Sequence, residues 1–438
     1  MRINFLYIAV MIIGSLSCAP NDIDGPNPND LFVKFYGLGT NEAVDIVRTS
    51  TGEIIVLAKN TNGNNSDFYL LKTDEGGNEL ASRIIDLNND SEDTPTRLKP
   101  VDNDEFLIVG YMTFRDVDTQ VDQNTSVWGR INSDLEVIST DDSGNPGFNF
   151  IDSLIATDII QTSDANPTYV VLGHSTAGSR RYAGDLTPAG ESQIYMGKYD
   201  DNDSVYWEKS HGFTGNENAL SIFEVDNGGF LVIGSTRATA EGYGGTNLYI
   251  LQTNKFGTAD EGALVTGIPG ADIDADDIPY SVKKSSLGYS IVGSTSDEAT
   301  GADRGFHLAV SSSGLLVNNS SSVLSNDFGL ACEAYTFART LSNELMVLGQ
   351  IGRFVITDGD GTTVINKNAE IMVMKVSPIT GHIDGFDQNY GTSVGDDKPV
   401  AALTLPDGDI LVASTIDFGS GTTMVGLLRL NANGELKD

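Results

Sequence analysis

Six carboxylates recur at comparable places, each just ahead of a strand-like segment: Glu42, Asp93, Glu217, Asp277, Glu333 and Asp397. Acids gathered from distant segments can hold a cation, meet a cationic partner, or work in pairs on a glycosidic bond. Asp and Glu also accept hydrogen bonds from backbone amides in turns, so a purely structural use competes with each of these. One unit breaks the pattern, with Ile155 at the aligned place and Asp152 nearby. Two stretches look like the start of a calcium loop, "DIDADD" (Asp272 to Asp277) and "DGDGTT" (Asp358 to Thr363). The first lacks the glycine at its sixth position and the acid at its twelfth, and the second fails the same test. No cofactor is expected, and a structural calcium rests on these two stretches alone.

A second set of polar residues lies in the long loop "HSTAGSRRYAGDLTPAGES": His174, Arg180, Arg181 and Tyr182. Arginine and tyrosine are favoured at interfaces, so the loop is a candidate partner contact, set against its reading as a solvated loop. Catalysis finds little in the sequence. The histidines His174, His211, His307 and His382 are scattered without metal-ligand spacing. No G-x-S-x-G elbow or phosphate loop stands out. Cys332, in "LACEAYTF", reads as a small buried residue.

The elements that position these groups repeat. Apolar runs ending in a small residue occur as "IIVLA" (Ile54), "FLIVG" (Phe106), "YVVLG" (Tyr169), "FLVIG" (Phe230), "YSIVG" (Tyr289), "LMVLG" (Leu345) and "ILVAS" (Ile410), at spacings from 52 to 65 residues. Such runs are apolar on both faces, as strands covered on both sides must be. A tight turn and another strand precede each run, as in "AVDIVRT", and two strands follow, as in "NLYILQTNKFG" and "SVYWEKSHG". Four antiparallel strands in each of seven units predict an all-β fold, a seven-bladed β-propeller over residues 31–438. The last unit ends without a fourth strand, while "LFVKFYG" (Leu31 to Gly37) stands alone at the front and resembles the fourth strands. The N-terminal strand is therefore expected to close the last blade, removing exposed edges. The acids would ring one mouth of the central channel, on the face that carries the long second-to-third-strand loops.

The first residues, "MRINFLYIAVMIIGSLSC", combine Arg2, a short apolar core and small residues before Cys18. This reads as a signal peptide over residues 1–17, with Cys18 as the lipidated residue of a bacterial lipoprotein and residues 18–30 as an extended tether. Formal net charge is −35, which disfavours nucleic acid and anionic lipid as partners.

The unit resembles a repeat of lipid-anchored propellers found in Bacteroidetes. "FVKFYG", "NEAVDIV", "NGGFLVIGST" and "DFYLLKTDEGG" carry the resemblance. It implies a cell-envelope protein with a propeller and implies no reaction. The turn in "YDDNDSVYW" is similar to quinoprotein repeats in its Asp and Trp, but lacks their Thr-Gly, so cofactor binding does not carry over. Two functions stay open. One is a monomeric outer-membrane lipoprotein, periplasmic or surface-exposed, that binds or scaffolds an envelope protein or glycan. The other is a glycan-active hydrolase or lyase using the mouth acids.

Overall fold

The computed structural model describes residues 33–437, except 38, 64, 89–90, 116–121, 139–146, 176–191, 201–203, 214, 238–243, 260–261, 286–287, 298–301, 318–321, 326–330, 353–354, 358–362, 366–367, 380, 384 and 393. The described residues form strands, with one 3-10 turn at Asp102–Asp104. No helix among them is long and apolar enough to cross a membrane.

The strands form successive four-stranded antiparallel sheets. The first runs Thr40–Arg48, Ile54–Asn62, Asn65–Thr73, Glu79–Ile85. A single parallel bridge, Ser66 to Glu92, joins it to the next sheet, which starts with Glu92–Pro100. Later sheets start with Leu154–Gln161, Glu217–Glu224, Asp277–Ser285, Cys332–Arg339 and Lys398–Thr404. These first strands contact one another in chain order, and Lys398–Thr404 contacts Thr40–Arg48, so the sheets close around an axis lined by first strands. The architecture is a β-propeller.

The apolar runs are the second strands, and their two-residue period explains their composition. In Ile54–Asn62, Ile54 and Val56 enter a core shared with the last sheet, while Ile55 and Leu57 enter the core shared with the second. Both faces of the strand are buried between neighbours, so no alternation with polar residues survives.

The small residue closing each run has a separate cause. Each first strand carries a β-bulge, placed between Ala43 and Asp45, Pro95 and Arg97, Ala156 and Asp158, Ala219 and Ser221, Pro279 and Ser281, Ala334 and Thr336, or Pro399 and Ala401. The small residue faces that bulge across the ladder. At Gly349 a Cβ would lie 1.8 Å from the Glu333 carbonyl oxygen, so the strands approach too closely for a side chain.

The opening strand pairs where the sequence places it. Val33–Tyr36 runs antiparallel to Thr423–Leu430, with Val33 opposite Leu428 and Tyr36 opposite Val425. Tyr36 is buried with Leu411, Val425 and Leu427, and its hydroxyl donates to the Gly77 carbonyl of the first sheet at 2.5 Å. Phe35 meets Phe418 edge-on at 5.2 Å. Thr40 Oγ1 donates to the Gly421 carbonyl at 3.0 Å, and the Ala43 amide donates to Thr415 Oγ1 at 3.0 Å. The join is sealed by strand pairing, core packing and side-chain hydrogen bonds together.

Candidate binding site at the channel mouth

The bulge gives a common origin for comparing first strands, and it divides the expected ring of acids in two. Three residues before the bulged residue stand Asn41, Asp93, Glu217, Asp277 and Asp397, with Leu154 and Cys332 in the same slot. All of these are buried. Two residues before it stand Glu42, Glu333 and Lys398, with Thr94, Ile155, Asn218 and Ile278, and each of these is exposed or half-buried. Successive strand residues point to opposite faces, so a one-residue offset moves a side chain from the inter-sheet core to the channel side. Glu42 and Glu333 therefore belong to a different set from the other four acids.

The buried acids hold turns together. Asp93 accepts from the Leu87 amide at 2.8 Å and from Ser91 Oγ at 2.6 Å. Asp277 accepts from the Ile268 amide at 2.9 Å. Asp397 accepts from the Asp417 amide at 2.9 Å and also from the Thr392 amide. Glu217 accepts from Thr236 Oγ1 at 2.7 Å. The bonds from Leu87, Ser91, Ile268 and Thr392 tie the segment leaving one sheet to the start of the next, while those from Thr236 and Asp417 brace the first strand against the second strand of its own sheet. The glycine that closes the fourth strand makes room for the acid: a Cβ on Gly212 would lie 2.3 Å from Glu217 Oε2, and one on Gly391 would lie 2.9 Å from Asp397 Oδ2. Burial pushes both Asp93 and Asp397 up to about 6, against the lowering effect of their hydrogen bonds.

The channel side carries a mixed cluster. Tyr280 and Tyr335 occupy the bulged positions of neighbouring first strands, and their rings lie 4.8 Å apart at 39°. The Tyr335 hydroxyl donates to Glu333 Oε2. Lys398 Nζ stands 4.1 Å above the Tyr335 ring centroid, a cation–π contact. Gln350, opposite Glu333 in the ladder, donates to the Asp397 carbonyl at 2.9 Å. Ser294 Oγ donates to the Tyr280 hydroxyl at 3.3 Å. Burial pushes both phenols up, and the nearby carboxylates add to the shift, so both tyrosines keep their protons. Burial lowers Lys398, while Glu333 and Glu42 act to raise it.

Farther along the same strands, charged groups neutralise one another. Lys99 Nζ lies 2.6 Å from Asp158 Oδ1, and Arg97 Nε lies 3.8 Å from the same oxygen. Lys283 Nζ donates to the carbonyls of Phe337 and, at 2.8 Å, Ala402, bridging to two other sheets. Burial brings Lys283 down to about 8.

The partner-contact residues divide as well. Arg180, Arg181 and Tyr182 lie outside the described residues, as does Cys18. His174 is not in the loop. It is half-buried in the strand Tyr169–Ser175, opposite Ile155 and Ile194, and burial pushes it down to about 4. Its pairing with Ile155 puts the end of that strand level with the start of its sheet's first strand. Of the two calcium-like stretches, 358–362 is outside the described residues. Carboxylate oxygens converge elsewhere, at Asp67, Asp86 and Asp93, within 4.8 Å of one another. Sequence reasoning missed Tyr280, Tyr335, Gln350 and Lys398. Aligning "IPYS" with "EAYT" on their bulges would have found the tyrosines.

No protein-family model matches the chain, and no curated protein matches it. Solved structures do. An ulvan lyase, described as a new family of polysaccharide lyase and bound to a GlcA–Rha3S saccharide, aligns with TM-score 0.50 at 11% identity, over 90% of this chain and 95% of that one. The β-propeller domain of the Trilobed protease from Pyrococcus furiosus, titled as having an open velcro topology, aligns with TM-score 0.42 at 10% identity, over 90% and 94%. A protein of unknown function from Dyadobacter fermentans aligns with TM-score 0.45 at 13% identity, over 90% and 98%. At these identities the likeness concerns the fold alone.

Proposed function

We propose that the chain is a lipid-anchored cell-envelope protein whose seven-bladed propeller binds a glycan at the channel mouth. The observation that carries this is the Tyr280–Tyr335 ring pair with Glu333, Gln350, Lys398 and Glu42 beside it. Aromatic faces pack against sugar rings, and the surrounding carboxylates, amide and ammonium suit hydroxyl hydrogen bonds. Seven blades are supported by the sheets that start with a bulged strand and meet around the axis. Anchoring at Cys18 rests on the sequence before it and puts the protein at the outer membrane.

The test is calorimetric titration with a panel of oligosaccharides against wild type and Tyr335→Ala. Binding that falls at least about tenfold in the variant, with an unchanged melting temperature, supports the reading. A panel that finds no binder, or a variant that binds as wild type does, overturns it. Metabolic labelling with palmitate, lost in Cys18→Ser, tests the anchor.

One contact favours the rival reading of a glycan-active enzyme: the Tyr335 hydroxyl on Glu333, a half-buried acid–base pair. The raised tyrosines make them donors at neutral pH and weigh towards binding. Saccharide turnover abolished by Glu333→Gln would decide for the enzyme.

A further inference from the structure

Lys398 already holds a cation in the mouth. Its ammonium lies 4.1 Å above the Tyr335 ring centroid, and the charges that favour its protonated form are Glu333 and Glu42. A third carboxylate, Asp303, acts together with Glu333 on Tyr280. Three carboxylates thus act around the aromatic pair, with Lys59 opposite Glu42 in the ladder and Arg304 next to Asp303 as further cations, within a chain of formal charge −35. An aromatic face ringed by carboxylates is a receptor for an organic ammonium, and the field around it repels anions.

We propose that the mouth recognises an amine-bearing saccharide, whose ammonium takes the place over Tyr335 that the Lys398 ammonium holds in the structure. The inference rests on the glycan reading above and names the class of glycan. The Tyr280 ring, tilted 39° at 4.8 Å, packs against Tyr335 and holds that ring in place. Lys398 is suited to leaving: it lies near the start of its strand, and its charge sits on a flexible four-carbon stem. While in place it is an internal competitor that scales the affinity of every cationic ligand down to the fraction of time the ring is free. It also sets a selection, because only a ligand that restores the positive charge between Glu333 and Glu42 compensates for its displacement.

The experiment uses the mature chain and three probes: a glucosamine hexasaccharide, its fully N-acetylated counterpart, and a galacturonate hexasaccharide. Each is titrated at mildly acidic pH, where the amines are protonated, into wild type, Lys398→Met and Glu333→Gln. Wild type should prefer the amine probe. Lys398→Met should bind it about tenfold tighter with little change for the acetylated one. Glu333→Gln should bind it about tenfold weaker. Equal binding of amine and acetylated probes in all three proteins would overturn the inference and leave the glycan reading standing. Preference for galacturonate, lost in Lys398→Met, would make Lys398 an anion contact and also overturn it. If none of the three proteins binds any probe, the inference fails, and the wider panel above decides the glycan reading. Should Lys398→Met melt early, Lys398→Gln removes the same charge, and the Glu333→Gln result stands independently.

Discussion

Asp397 and Lys398 are adjacent in the chain and do opposite work. Asp397 is fully buried between sheets with backbone amides on both its oxygens, while Lys398 lies over an aromatic ring on the channel side. The same division separates Asp93, Glu217 and Asp277 from Glu42 and Glu333. A carboxylate recurring before each first strand has no single meaning, because its face changes with one residue of register. The buried set braces the turns around the first strands, and the channel set is exposed or half-buried.

That contrast can be strained from several sides. The largest effect should come from deleting residues 31–37. Asn41, the buried-set member at the join, packs beneath Gly37, and the deletion also removes Tyr36 from the shared core. The melting temperature should fall by more than about 10 °C, because burying one large side chain contributes about 2–3 kcal/mol and a ladder of backbone hydrogen bonds goes with it. A deletion mutant that melts with wild type would break the account of closure.

Asp397→Ala comes next. It leaves the Thr392 and Asp417 amides without their acceptor and should cost about 2–4 kcal/mol in denaturant unfolding. Glu333→Ala, from the channel set, should stay within about 0.5 kcal/mol of wild type in the same measurement. Equal losses in the two variants would erase the distinction.

The pH dependence sharpens it further. Asp93 and Asp397 rise from 3.8 to about 6 on burial, so between those values the native state holds protons that the unfolded chain has released. Their stabilisation is complete below 3.8 and is lost as pH rises through about 6. His174 and His307 fall from 6.5 to about 4, and they contribute the opposite slope: stability present above 6.5 and lost as pH falls through about 4. The two pairs oppose each other. Asp397→Asn removes one falling contribution, so its stability relative to wild type should climb by about 3 kcal/mol between acidic and near-neutral pH. Urea unfolding at the two ends of that range measures the change, and parallel profiles would contradict the buried assignment. The smallest effect belongs to Glu42→Gln, which should leave melting unchanged to within about 1 °C.

The elements were legible where burial on both faces forces a continuous apolar run, as in "FLVIG", and where turn residues frame it. The closing strand was legible because "LFVKFYG" repeats the aromatic-then-glycine pattern of the fourth strands. The glycine in that pattern has a local reason, the acid or amide of the next strand lying against it, and so it survives in degenerate units. The split of the acids was not legible. Connections ahead of the first strands vary in length, and an acid carries no mark of the face it occupies. Only the bulge supplies the register, and its trace in sequence is a lone Ala or Pro facing a small residue. Lys398 and the tyrosines were hidden for the same reason, since their neighbours across the channel come from other units.

The most direct test sets Glu333→Gln and Asp397→Ala side by side, each measured for melting and for affinity towards the tightest-binding oligosaccharide of the panel. The account predicts that Glu333→Gln melts with wild type and binds at least about tenfold more weakly. It predicts that Asp397→Ala melts lower and, while folded, binds as wild type does. The reverse pattern, with binding lost in folded Asp397→Ala and kept in Glu333→Gln, would contradict it.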